Sequence, residues 1–213
     1  MVARLGASSG RLLKPALFAA CLVPLAALAW ALYVDRLGAN PIDEIADRTG
    51  EWTLRLLLVT LAVTPVRRLT GWRWPMRLRR MLGLFAFFYA SLHFTTYIAL
   101  DQFFLWGEIL RDVIKRPFIT VGFTAFVLLI PLAATSTKGM MRRLGRHWRR
   151  LHRLVYVIAL LGVMHYLWLV KADLRTPLIY ATLLALLMLL RLPRRAPAGR
   201  APAPGLAIRP QRN

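Results

Sequence analysis

The chain has 213 residues, 58% of them hydrophobic, and a formal charge of +21. A soluble domain of this size is nearer half apolar and is seldom so basic, which excludes an ordinary water-soluble enzyme. The single cysteine, Cys21, excludes an internal disulfide, and with no CxxC or CxxCH the chain lacks the residues for dithiol chemistry, structural zinc or covalent c-type attachment.

A hydrocarbon core of roughly 30 Å takes about 20 residues of helix. Segments 15–34, 52–66, 81–100, 117–137, 154–170 and 176–190 meet or approach that length. The first follows Arg11 and Lys14 and contains Ala26, Ala27 and Ala29, as a secretory leader would. It is longer than a leader core and ends in Trp30 and Tyr33, as interfacial residues do, so it is read as a retained helix. The second is the weakest, because Arg55 lies one turn inside it, where a snorkelling side chain could reach the interface. The third and fourth are uncharged, the fifth is broken only by His165, and the sixth is bounded by Arg175 and Arg191. Residues 193–213, rich in Pro, Ala and Arg, are expected to be a disordered cytoplasmic tail. The expected fold is all-α: a polytopic bundle of six transmembrane helices within residues 1–192. No internal repeat is legible. There is no glycine-rich phosphate loop and no polar stretch long enough for a dinucleotide fold.

Charge placement orients the bundle. Most of the 30 basic residues lie before the first span, between the second and third, between the fourth and fifth, and in the tail. All nine acids, from Asp35 and Asp43 to Asp112 and Asp173, fall in or beside the other connections. Both termini are therefore expected to be cytoplasmic. Basic clusters between spans are topology signals and lipid contacts, which leaves nucleic acid without a role as partner.

The four histidines, His93, His147, His152 and His165, lie in or beside spans. A lone intramembrane histidine is as readily a hydrogen-bonded helix contact as a functional group. Depth decides here. The third and fifth spans both run outward, and His93 and His165 lie at similar distances from their inner ends. Two imidazoles meeting at one level can supply both axial ligands of an iron porphyrin. Ala86 and Ala90 leave room beside His93, and Tyr89 and Tyr97 offer aromatic walls. His152, at the inner end of the fifth span, suits a second haem only if a partner comes from near Arg79 and Arg80; His147, Met81 or water are the candidates. His147 is read as a surface residue. Arg77, Arg79, Arg80, Arg149 and Arg150 can pair with haem propionates or a flavin phosphate, although topology already accounts for them. The competing readings are a small transporter or channel with histidine proton or metal sites, and a lipid-binding scaffold. The first is weakened by spans without buried acids, the second by the matched histidine depth.

The stretch Arg79–Asp101, with its LHxTxY pattern, and the run Thr135–Asp173, with GxxWxxLHxLxY, resemble the MsrQ family; so do Lys115–Phe123, Leu37–Ile45 and Thr176–Ala181. These are haem-binding membrane subunits of the bacterial periplasmic methionine-sulfoxide reductase system. The resemblance implies a ferric-reductase-like transmembrane domain in the bacterial inner membrane, with b-type haem held by His93, His152 and His165. It implies electrons taken from the quinone pool and passed to a periplasmic molybdopterin-containing catalytic subunit that reduces oxidised methionine in envelope proteins. It associates FMN with the family as well, with no residues here to place it. The chain itself would be the electron-transfer subunit, not the catalytic one. Ferric reductases carry two histidines on each of two helices; this chain lacks the fourth, which leaves the number of haems, one or two, open.

Overall fold

A computed structural model describes residues 7–170 and 172–192, with side chains from residue 12 onward; Arg4 and the tail 193–213 lie outside the described residues. The described chain is helical without strands: α1 (Ala7–Tyr33), α2 (Pro41–Thr70), a 3-10 turn (Trp74–Arg77), α3 (Arg79–Thr95) running into a π-helical turn (Thr96–Asp101), α4 (Trp106–Lys115), α5 (Pro117–Ala134), α6 (Lys138–Leu144), α7 (Arg146–Leu151), α8 (Leu154–Leu169) and α9 (Arg175–Leu189). Four helical stretches are long and apolar enough to cross a bilayer, namely Leu12–Tyr33, Arg79–Asp101, Pro117–Ala134 and Arg146–Leu169, and α9 is apolar but shorter. The chain is an integral membrane protein. Its outward surface is accordingly apolar, with Val23, Leu32, Val127, Leu160, Leu183 and Leu186 exposed.

The second segment is much longer than its apolar run. α2 has 30 residues because a polar turn precedes the apolar part: the Asn40 side chain caps Asp43 N–H, Pro41 occupies the first turn, and Asp43 and Glu44 face the positive end of the helix dipole. Gly71, at φ 74°, closes the other end. Arg55 is half-exposed and has partners within the protein. It pairs with Glu51 at 2.6 Å and donates to the Tyr180 hydroxyl at 2.8 Å, with its guanidinium 5.0 Å from the Trp52 ring centre.

A proline inside α2 and a tyrosine of α3 tie the bundle together. Pro65 has no N–H, so the Leu61 carbonyl one turn earlier lacks its helical donor. The Arg191 guanidinium supplies one, and also donates to the Tyr156 hydroxyl at 2.5 Å. Arg68 in turn donates to the carbonyls of Leu190 and Arg191 at the end of α9. In α1, beside Pro24, the Tyr89 hydroxyl accepts from Leu25 N–H at 3.2 Å and donates to the Cys21 carbonyl at 2.8 Å. Tyr89 therefore pins α1 to α3 and does not wall a site at His93; Ala86, fully buried, serves helix packing in the same way.

α3 lies along α2, and α8 lies along α5. The two pairs meet where Phe126 of α5 stacks on Phe87 and Phe94 of α3, with centroids 6.0 and 4.5 Å apart. A core of Leu54, Leu57, Leu61, Phe85, Ile158 and Ala159 fills the interior.

Candidate functional site

Between the two helix pairs lies a cavity of about 770 Å³. Its deep part is apolar, lined by Leu57, Ala90, Ala125, Leu129 and Ile158. Its opposite end, where α3 and α8 finish, is polar, lined by Asp43, Asp47, Asp101, Arg116 and Tyr97. His93 and His165 reach into it from α3 and α8. Their ring centroids are 6.1 Å apart and their planes cross at 76°. An imidazole nitrogen binds a first-row metal at about 2 Å, so two rings ligating one ion from opposite sides have centroids roughly 6 Å apart. The observed spacing matches.

Each ring is held in the same way. His93 Nδ1 lies 2.9 Å from the Ala46 carbonyl of α2, and His165 Nδ1 lies 2.7 Å from the Phe118 carbonyl of α5. A carbonyl only accepts, so Nδ1 carries the proton in both rings and Nε2 keeps its lone pair for a metal. A side chain can reach a carbonyl inside a helix only where the helix surface is open. The opening is Gly50 in α2 and Gly122 in α5, each one turn beyond the carbonyl in question. A Cβ on Gly50 would lie 3.1 Å from the His93 ring, and one on Gly122 would lie 2.7 Å from His165 Nδ1.

The carbonyl precedes its histidine by 47 residues in both cases. The same local arrangement, a histidine ring on a helix carbonyl with a glycine one turn on, thus recurs in the α2–α3 and α5–α8 pairs, where the sequence had suggested no repeat. Besides the glycine and the histidine only scattered residues are identical at equivalent positions, such as Leu56 with Leu128, Leu57 with Leu129 and Asp101 with Asp173, which is why inspection of the sequence misses it.

His152 is elsewhere. It follows α7, its ring stacked on Trp148 at 3.9 Å between centroids, with Nδ1 3.2 Å from the Trp148 carbonyl. Among the described residues its buried Nε2 has no hydrogen-bond partner within ordinary distance, the Leu132 backbone being the near polar group. Arg79 lies within electrostatic range of it. His147 is exposed on α7. Among the described residues no three of His, Cys, Asp and Glu converge as a metal cage; the donor set at the cavity is a pair of imidazoles.

Residues 49–163, which include His93 and end within α8 just before His165, match the family model described as ferric reductase like transmembrane component. Protein-methionine-sulfoxide reductase heme-binding subunit MsrQ of Herminiimonas arsenicoxydans is 60% identical over 183 residues, covering 84% of each chain. The MsrQ subunits of Rhodospirillum rubrum and Xanthomonas campestris pv. campestris (strain 8004) are each 55% identical, covering 91% and 89% of this chain and 95% and 90% of theirs. The chain belongs to the MsrQ family.

Within this MsrQ-family site, the residues that sequence reasoning missed are those that position the rings: Ala46, Phe118, Gly50 and Gly122. The glycines left a trace, since a glycine inside a helix costs about 1 kcal/mol relative to alanine and usually has a packing reason. The carbonyls left none. Arg77, Arg79, Arg80, Arg149 and Arg150, which could have paired with propionates or a phosphate, do not line this cavity; among the described residues the arginine that does is Arg116, 3.2 Å from Asp112. Asp47, at the polar end of the cavity, has its carboxyl held above the ordinary range by partial desolvation and by the nearby charges of Asp43, Glu44 and Glu51.

Proposed function

We propose that this chain is the haem-binding, electron-transferring membrane subunit of a protein-methionine-sulfoxide reductase, with His93 and His165 holding a b-type haem in the cavity. The observation that carries the reading is the pair of Nδ1-protonated imidazoles that line one cavity with ring centroids 6.1 Å apart. The apolar depth of the cavity suits the macrocycle; at the other end Arg116 and Tyr97 are the groups that can meet its carboxylates, beside Asp43, Asp47, Glu51 and Asp101, which repel them. Bound there, haem supplies one-electron redox chemistry. The chain's own residues orient both imidazoles through backbone carbonyls, keep Nε2 unprotonated, and exclude water with the aromatic and aliphatic walls of α3, α5 and α8.

His152 is the ligand we assign to a second, inner haem, supported by its buried, unpartnered Nε2. The missing second ligand on that side is consistent with the lack of a fourth histidine. In the membrane, the arginine-rich end bearing α6 and α7 faces the cytoplasm, as the positive-inside bias requires, and six spans put both termini there. The protein then sits in the bacterial inner membrane, with the His93 end of the cavity toward the periplasm. The electron donor is the quinone pool and the acceptor is a periplasmic molybdopterin-containing catalytic subunit that repairs oxidised methionine; family resemblance supports both. FMN rests on that resemblance alone.

The test is the absorption spectrum and pyridine haemochrome stoichiometry of the purified chain, alongside His93→Ala, His165→Ala and His152→Ala. The expected result is a dithionite-sensitive haem spectrum. It should be lost or strongly weakened in the first two variants and retained, at lower stoichiometry, in the third. Full haem in both His93→Ala and His165→Ala would refute the ligand assignment, and a colourless wild-type protein would refute the function.

A further inference from the structure

α4 is not a span, and its surface is divided sharply. At 100° per residue, Trp106, Ile109, Leu110, Val113 and Ile114 occupy one continuous arc, and Glu108, Arg111, Asp112 and Lys115 occupy the other. The apolar arc has two uses. Ile109 and Val113 turn inward and roof the polar end of the cavity. Trp106, Leu110 and Ile114, at successive turns, face away from the protein, with Ile114 72% exposed.

The helix is fixed in place from its polar side. Asp112 accepts from the Tyr97 hydroxyl at 3.4 Å and pairs with Arg116, and Thr120 donates to the Val113 carbonyl. Arg116 is extended, so α4 breaks direction before entering α5. On the other side, Phe103 and Phe104 both have positive φ, at 46° and 59°. Two consecutive bulky residues in the left-handed region are unfavourable unless their side chains gain something in return. Within the protein they gain little: Phe104 meets only the Trp106 ring, with centroids 6.4 Å apart, and both phenylalanine rings are exposed, as is Leu105.

We propose that Phe103–Lys115 is an interfacial segment that lies flat in the headgroup region of the bilayer, with its aromatic and aliphatic stripe in the lipid, and that it forms the roof of the cavity there. The occupant of the exposed stripe follows from its position. α4 joins the ends of two membrane-spanning helices, and its stripe continues the lipid-facing surface made by Leu100 of α3's terminal turn and by Phe123 and Val127 of α5. Its opposite arc carries the Glu108–Arg111 ion pair, at 3.0 Å, and Lys115 toward water and headgroups. Tryptophan and phenylalanine at one edge of the apolar band are what an interface selects. The proposal holds with or without haem in the cavity.

The full chain is reconstituted in phosphatidylcholine–phosphatidylglycerol vesicles, and nitroxide labels are placed through Leu110→Cys, Ile114→Cys and Arg111→Cys in a Cys21→Ala background. Labels at 110 and 114 should collide several-fold more with lipid-soluble oxygen than with a water-soluble nickel chelate, and the label at 111 should show the reverse. Labels at 110 and 114 as open to nickel as that at 111 would mean a surface left for a soluble partner, and would overturn the proposal. Labels shielded from both reagents would mean a second copy of the chain covers the stripe, and would overturn it equally. A measurement without cysteine replacement runs in parallel: vesicles of brominated phosphatidylcholine should quench a tryptophan component that Trp106→Phe removes, and absence of that component contradicts the proposal.

Discussion

Gly122→Ala is the sharpest test of how the cavity holds its imidazoles. The added methyl would lie 2.7 Å from His165 Nδ1 and 2.8 Å from Cε1, and ordinary contact begins at 3.4 Å. The ring must therefore retreat by roughly 0.7 Å, because α5's backbone cannot yield as readily as a side chain. That movement lengthens the Nδ1–Phe118 bond, now 2.7 Å. Loss of such an orienting contact lowers metal affinity about 10–100-fold, equivalent to ~1.4–2.8 kcal/mol. The assay is haem titration into apoprotein followed at the Soret band, with the low-spin fraction read from the same spectra. Gly50→Ala, whose methyl would meet His93 at 3.1 Å, should do less. Gly83→Ala, whose methyl meets only Thr60 at 3.9 Å, should leave haem binding unchanged. Alanine also favours helix over glycine by about 1 kcal/mol, so thermal stability should not fall in step with haem affinity. Equal haem affinity and spin state in Gly122→Ala, Gly83→Ala and wild type would refute the reasoning.

Tyr89→Phe removes both backbone bonds to α1 and should lower resistance to thermal unfolding by about 1–3 kcal/mol, while haem content per folded protein is unchanged. Arg191→Met strands the Leu61 carbonyl and should cost a similar ~1–3 kcal/mol; adding Pro65→Ala, which restores the missing N–H, should recover part of it, and strictly additive losses in that double-mutant cycle would count against the pairing. Asp47 has a raised folded-state pKa, so the folded protein binds its proton more tightly than the unfolded chain does, and stability is lost as pH rises through that pKa. Asp47→Asn should therefore stabilise the protein at neutral pH, with the difference vanishing in melts below the ordinary carboxylate range.

The bundle was legible because lipid imposes a single rule, long apolar runs flanked by basic clusters, and the chain follows it. The same rule put His93 and His165 at one level on parallel helices, and the structure brings those rings together. What escaped the sequence depends on pairing between distant residues. Nothing local announces that the Ala46 and Phe118 carbonyls face histidines, or that Arg191 serves a carbonyl stranded by Pro65. Tyr89 was misread for the same reason: one turn from His93 in sequence, it points to α1. The polar first turns of α2 and the amphipathic α4 were lost in a search for apolar length alone, since both derive their order from capping and interfacial position and not from a continuous apolar run.

The central claim is that the two crossed imidazoles ligate one haem iron, and low-temperature EPR of the oxidised, purified chain tests it most directly. Rings at 76° to one another predict a highly anisotropic low-spin ferric signal, of the kind that crossed axial imidazole planes produce, and its disappearance in His93→Ala and in His165→Ala. A high-spin signal in the wild-type protein, or a low-spin signal that survives both substitutions, would contradict the account.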